Sequence, residues 1–113
     1  HIKKAKDIHL YKGKTIALAG IVITRKITAT RNRQPMEFVT FEDETDLYEC
    51  VMFPEAYETF GDLLNWETLF LIQGKVEKAY SVYTVTIEKL ISLTQMIKKI
   101  KETKTVLTES LSQ

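Results

Sequence analysis

PMEFVTFEDETDLYECVMFPEAYETFGDLL, Pro35 to Leu64, is the stretch of this 113-residue chain on which the fold turns. Met36 to Asp43 is rich in aromatic and β-branched residues, and so is Asp46 to Phe53. Glu44 and Thr45 between them read as the turn of a hairpin. Pro54 then suits the first position of a helix, on which Tyr57, Phe60 and Leu64 fall at i, i+3 and i+7 along one face. Gly61 is a poor helix-interior residue and marks where that helix closes or loosens. Because side chains alternate along a strand, Val39 and Phe41 make the better core pair on the first strand, turning Phe38 and Thr40 outward. On the second, Tyr48, Cys50 and Met52 form the more apolar set, turning Glu49 and Val51 outward.

Upstream, Thr15 to Ile27 (TIALAGIVITRKI) is Ile- and Val-rich, too long for a flat strand and interrupted by Gly20; a bent, bulged strand is predicted. Thr28 to Pro35 has no apolar period and reads as a hairpin tip. Downstream, Thr68 to Ala79 and Val82 to Leu90 are two more strands joined near Tyr80 and Ser81. The order β-β-β-α-β-β predicts an all-β fold, a five-stranded Greek-key barrel of the OB type with one helix between strands three and four. An open α+β sheet with the same element order is the competing reading. Beyond the last strand, Leu93, Met96, Ile97 and Ile100 recur at helical spacing. They predict a C-terminal helical extension with a lysine-rich outer face, its final polar residues fraying. The chain divides into a lead-in (1–14), the barrel (15–91) and a helical or flexible tail (92–113).

A hydrophobic content of 44% suits one compact domain with a modest core and leaves no room for a second. Apolar runs such as Ile16 to Ile23 fall short of the roughly 20 residues that cross a bilayer. The basic opening HIKKAKDIHLYKGK has no signal-type apolar run behind it, so no membrane role is expected. Cys50 is the single cysteine, which points to a reducing, cytoplasmic compartment and, within a strand, to a small buried hydrophobe rather than a reactive thiol. His1 in place of methionine points to a piece of a longer polypeptide.

The net charge of +1 conceals a segregation: no Lys or Arg lies between Gln34 and Gly74, a stretch that holds ten of the 15 acids. Such a map allows a local basic surface beside an acidic one. Glu42, Asp43, Glu44 and Asp46 look like a cation cluster, but the glycine and carbonyl support of a calcium-type loop is missing, and they read as turn residues. His1 and His9 are too few for zinc, and no Gly-rich phosphate loop or nucleophile elbow is present. No catalytic residue, metal or cofactor is expected; Asn65 and Trp66 are expected to close the barrel.

The segments AGIVITRKI, QPMEFVTFED, VMFPEAYETFGDLL and LIQGKVEK resemble the OB domain of the bacterial DNA polymerase III alpha subunit, over about Gly13 to Leu93. The OB domains of class II aminoacyl-tRNA synthetases, which bind anticodons, are the nearest alternative. The resemblance implies a non-catalytic fragment of a DNA-directed DNA polymerase, lying beyond the catalytic portion and contacting the single-stranded template. The partners implied are single-stranded DNA, bound weakly, and the rest of the polymerase polypeptide. A protein-interaction module docking a replisome protein through the C-terminal helix is one alternative, and an anticodon-type RNA-binding domain another.

Within an OB fold, the first hairpin loop flanks the binding groove, so Arg25, Lys26, Arg31 and Arg33 become candidates for tracking phosphates. Phe38 on the outer face could stack a base, with Thr40 beside it, and Glu49 could accept hydrogen bonds from base amino groups. Lys75, Lys78 and Tyr80, with Tyr83 nearby, would form the other wall. The bland alternatives are a Phe38 packed beneath the tail or first loop, and loop cations that are simply solvated.

Overall fold

The strand β2 (Thr15–Ala29) turns a set of hairpins into a barrel. In the computed structural model, which describes residues 1–112, its first half pairs antiparallel with β5 (Leu69–Ala79) and its second half antiparallel with β3 (Pro35–Glu42). The strand changes neighbours at Ile21, which pairs with both, and a register shift follows between Val22 and Thr24, the bulge expected of a run of this length containing Gly20. β3 continues through an acidic turn into β4 (Leu47–Met52), and β5 through Tyr80 and Ser81 into β6 (Val82–Ser92). A short parallel pairing of β4 with β6, from Glu49–Thr84 to Val51–Thr86, completes the circuit. The two-sided pairing of β2 excludes the open sheet. Helix α1 (Pro54–Phe60) and a 3-10 turn (Gly61–Asn65) connect β4 to β5, so the helix does loosen at Gly61.

The core is the inner face of these strands. Phe41 stacks on Tyr48 with ring centroids 5.8 Å apart and meets Phe70 edge-on at 6.2 Å. Val39, Cys50 and Met52 are buried around them, while Tyr57 and Phe60 of α1 pack half-buried against the cluster. Burial, followed by the charge of Glu49, pushes the Cys50 thiol well up, so the cysteine stays protonated. Every buried side-chain polar atom among the described residues has a hydrogen-bond partner.

The first residues do more than lead in. A two-residue strand β1 (Ile2–Lys3) adds parallel to Ala17 and Leu18 of β2, and the 3-10 turn Ala5–Tyr11 inserts Ala5 and Ile8 into the core. Asp43 latches this segment to the β3–β4 turn, accepting hydrogen bonds from the Ala5 N–H (2.7 Å), the Thr45 N–H (2.7 Å) and hydroxyl (2.6 Å), and the Asp46 N–H (3.1 Å). Partial burial alone would raise the Asp43 carboxyl, but these donors outweigh it and hold the group below its ordinary range. At the other terminus the described tail is helical as far as Leu111, and the expected fraying of the last polar residues falls partly on residue 113, outside the described residues. Helix α2 (Leu93–Leu111) starts at a Ser92 cap, whose hydroxyl accepts from the Gln95 N–H, and projects so far that the molecule is 61 Å long but only 32 by 21 Å across. Among the described residues no helix is long and apolar enough to cross a membrane.

Gly20 explains how Tyr48 fits. The Tyr48 hydroxyl donates to the Ala19 carbonyl at 2.7 Å, and a Cβ on Gly20 would sit 2.5 Å from the Tyr48 hydroxyl oxygen. Gly20→Ala is expected to destabilise the fold by about 2 kcal/mol, through overpacking and the displaced hydrogen bond. In a Tyr48→Phe background the clash with the hydroxyl is gone, so the added cost of Gly20→Ala should fall below about 1 kcal/mol. Urea unfolding of the four variants of this cycle checks it; equal costs in both backgrounds would refute the account.

Candidate nucleic-acid interface

Strand register lines up one row of side chains across the barrel on the side away from the central core, although Val51 in that row is buried and not exposed as its strand parity suggests. Lys26 pairs with Phe38, Phe38 with Val51, Val51 with Thr86, and Thr86 with Lys75. The row has a cation at each end, and Phe38, 43% exposed, is its aromatic member. The next row holds Thr24, Thr40, Glu49 and Thr84. There the Thr40 hydroxyl donates to Glu49 Oε1 at 2.8 Å, leaving the second carboxylate oxygen of Glu49 uncommitted among the described contacts.

Beyond the Lys26 end lies the first hairpin loop. Its conformation is built around Thr30: the Thr30 N–H donates to the Gln34 carbonyl and the Arg33 N–H to the Thr30 carbonyl, both at 2.9 Å, while the Thr30 hydroxyl accepts from the Gln34 N–H at 3.2 Å. Arg33 takes a left-handed φ of 61° at this tight return. Arg31 and Arg33 are thereby exposed at the tip. Among the described residues neither they nor Lys26 nor Lys75 stands within ion-pair distance of a carboxylate, so these cations are available to an external anion.

Arg25 is different, and its reading as a backbone contact needs correction. It faces inward at the barrel end, where its Nε donates to Glu37 Oε2 at 2.5 Å and its Nη2 to Glu37 Oε1 at 3.2 Å. Its Nη1 donates to the Leu64 carbonyl at 3.2 Å and to Asn65 Oδ1 at 2.9 Å. Glu37 is 0% exposed, and its hydrogen bonds raise the Arg25 pKa further. The pair is a structural tie between β2, β3 and the turn after α1, in which four of the five guanidinium N–H donors are already committed. Glu37 was the residue overlooked, although its position two before Val39 on the core face of β3 was a readable signal: a carboxylate there demands an internal cation. Trp66 also departs from expectation. It is 77% exposed and closes nothing, whereas Asn65 does help to close that end through Arg25.

Lys75 and Lys78 do not share a face. Lys75 belongs to the outer row, but Lys78 lies over the Tyr83 ring at 5.2 Å, on the side of the β5–β6 hairpin where His9 meets Tyr83 edge-on at 6.4 Å. Tyr80 is 100% exposed at the hairpin tip, and it and Ser81 both have left-handed φ, 53° and 69°. That is the signature of a two-residue primed turn, normally given to Asn and Gly.

A closed barrel of this strand order, with one helix between its third and fourth barrel strands, defines an OB fold. Residues 16–93 match the family model of the OB-fold nucleic acid binding domain, and the chain belongs to that family. In particular it is similar to a segment of DNA polymerase III subunit alpha from Halalkalibacterium halodurans, 30% identical over 88 residues that make up 77% of this chain and 8% of that protein. The error-prone DNA polymerase of Anaeromyxobacter dehalogenans is 31% identical over 78 residues, 69% of this chain and 7% of its own length. The chain thus spans under a tenth of these relatives. Among solved structures, asparaginyl-tRNA synthetase from Pyrococcus horikoshii aligns with a TM-score of 0.62 at 21% identity, covering 80% of this chain and 22% of that one. The mitochondrial single-stranded DNA binding protein Rim1 of S. cerevisiae aligns with a TM-score of 0.60 at 9% identity, covering 73% and 97%. At such identities these two matches speak for the fold alone.

Proposed function

We propose that this domain binds single-stranded DNA as one segment of a replicative DNA polymerase polypeptide, contacting the template strand near the polymerase and performing no catalysis itself. The observation that carries this reading is the row Lys26–Phe38–Val51–Thr86–Lys75, with Arg31 and Arg33 beyond one end. Backbone phosphates meet Lys26, Arg31 and Arg33, one base stacks on Phe38, and Thr40 and Glu49 face base edges. Lys75 and Tyr80 guide the strand at the far side, and Lys78 is left to the Tyr83 side of the hairpin. The polymerase names of the sequence relatives favour DNA and the polymerase context.

Anisotropy titrations of a labelled oligothymidine should show weak binding that falls with salt at a log–log slope near about −2, from three phosphates at roughly −0.7 each. Arg31→Glu with Arg33→Glu should remove most of the affinity, and Phe38→Ala should weaken it by about 1–3 kcal/mol. Binding that ignores both changes would end this assignment. RNA of matched sequence belongs in the same titration, because tighter RNA binding would select the anticodon-type function instead.

A further inference from the structure

The barrel leaves the apolar stripe of α2 uncovered. Met96, Ile97, Ile100, Leu107 and Leu111 are all exposed, and α2 is tied to the barrel at its start, where Gln95 donates to the Glu67 carboxylate. On a helix of 3.6 residues per turn these side chains share one side, Lys99 and Lys101 border it, Lys104 lies within it, and Glu102 and Glu109 fall on the opposite side. Lys98 lies opposite the stripe, on the outer face expected to be lysine-rich, so the lysines are divided between that face, the borders of the stripe and, at Lys104, the stripe itself. The same molecule carries a surface of the opposite kind. Between α1 and β6 an open groove of about 500 Å³ has Phe53, Ala56, Phe60 and Ile87 as its apolar lining, with the exposed Glu55 and Glu88 beside them.

We infer that the stripe of α2 docks in the α1–β6 groove of a second copy of this chain, reciprocally, to give a two-fold dimer. The chemistry of the two surfaces favours this occupant: each is apolar at its centre, one is bordered by lysines and the other by glutamates, and both belong to one chain. A helix of one copy in the groove of the other, and the reverse, closes the symmetry and leaves no unpaired surface for continued growth. A parallel helix-against-helix pairing is disfavoured, because Lys99 and Lys104 would meet their own copies across the seam. The groove uses none of the residues assigned above to DNA, so dimerisation and DNA binding are separable.

Sedimentation equilibrium of the chain from micromolar to millimolar concentration tests this. A dimer of twice 13.1 kDa should appear and should weaken with salt. One variant, Lys99→Glu with Lys104→Glu, and a second, Glu55→Lys with Glu88→Lys, should each raise the dimer dissociation constant by at least about tenfold, since each sets like charges against each other at both contacts. Mixed together, the two variants should recover dimer formation, because both contacts in the mixed pair are then complementary. All four positions are exposed, and circular dichroism confirms that each variant is folded. A wild-type chain that stays monomeric throughout, a variant that self-associates like wild type, or a mixture that fails to dimerise would each overturn the inference.

Discussion

Replacing Arg25 by methionine should destabilise the domain by about 3–5 kcal/mol, much of the roughly 5–15 kcal/mol that holds a domain of this kind folded. The loss follows from what remains behind. Glu37 is wholly buried and its two oxygens are met by the Arg25 guanidinium, so without that cation a carboxylate is stranded in the barrel. The tie to Leu64 and Asn65 disappears as well. The double replacement Arg25→Met with Glu37→Leu removes both charges and should recover most of the loss, because two well-packed apolar side chains dispense with the desolvation of an ion pair. Urea midpoints of the two variants decide the matter: a single variant within about 1 kcal/mol of wild type, or a double variant as unstable as the single, contradicts this account.

The second large effect is expected at Gly74. β5 shifts register against β6 between Gln73 and Gly74, which brings the two backbones together. A Cβ on Gly74 would stand 2.5 Å from the Thr86 carbonyl oxygen and 2.6 Å from a methyl of Val85. The oxygen belongs to a main chain paired on both sides, with β5 and with β4, and cannot swing away as a side chain can. Gly74→Ala should therefore destabilise the fold by about 3 kcal/mol, at the upper end for overpacking. Thermal melting monitored by far-UV circular dichroism reads this directly, and an unchanged midpoint would show that β6 yields more easily than its pairing implies.

Much of the barrel was legible because its signals are periodic. The alternation in Met36–Asp43 and Asp46–Phe53 separates Val39, Phe41, Cys50 and Met52 from Phe38 and Glu49 in the structure as it does on paper. The interior glycine and the length of β2 announced its bulge, and Pro54 and Gly61 bracketed α1. What escaped was set by contacts distant in sequence. The 3-10 turn at Ala5–Tyr11 has a weak local pattern and is held by Asp43, 38 residues from Ala5. The division of the cations was hidden for the same reason. Whether Arg25 or Lys26 faces phosphate depends on which of them meets Glu37 across the β2–β3 register, and the bulge after Val22 resets that parity. Lys75 and Lys78 are a different case: their odd spacing on one strand already places them on opposite faces, a local signal the sequence carried.

The pairing of β2 also orders events in time. The β3–β4 hairpin closes locally, but β2 must find β5 across 48 to 60 positions, from Ile21–Leu69 to Thr15–Lys75. Closing so long a loop is entropically unfavourable and precedes most of the burial that offsets it, which makes closure the slow event in folding. During synthesis the Ile-rich β2 emerges long before β5 and waits with one edge unpaired and its inner face uncovered. The strand that unifies the finished barrel is thus, in the growing chain, the segment most in need of shelter.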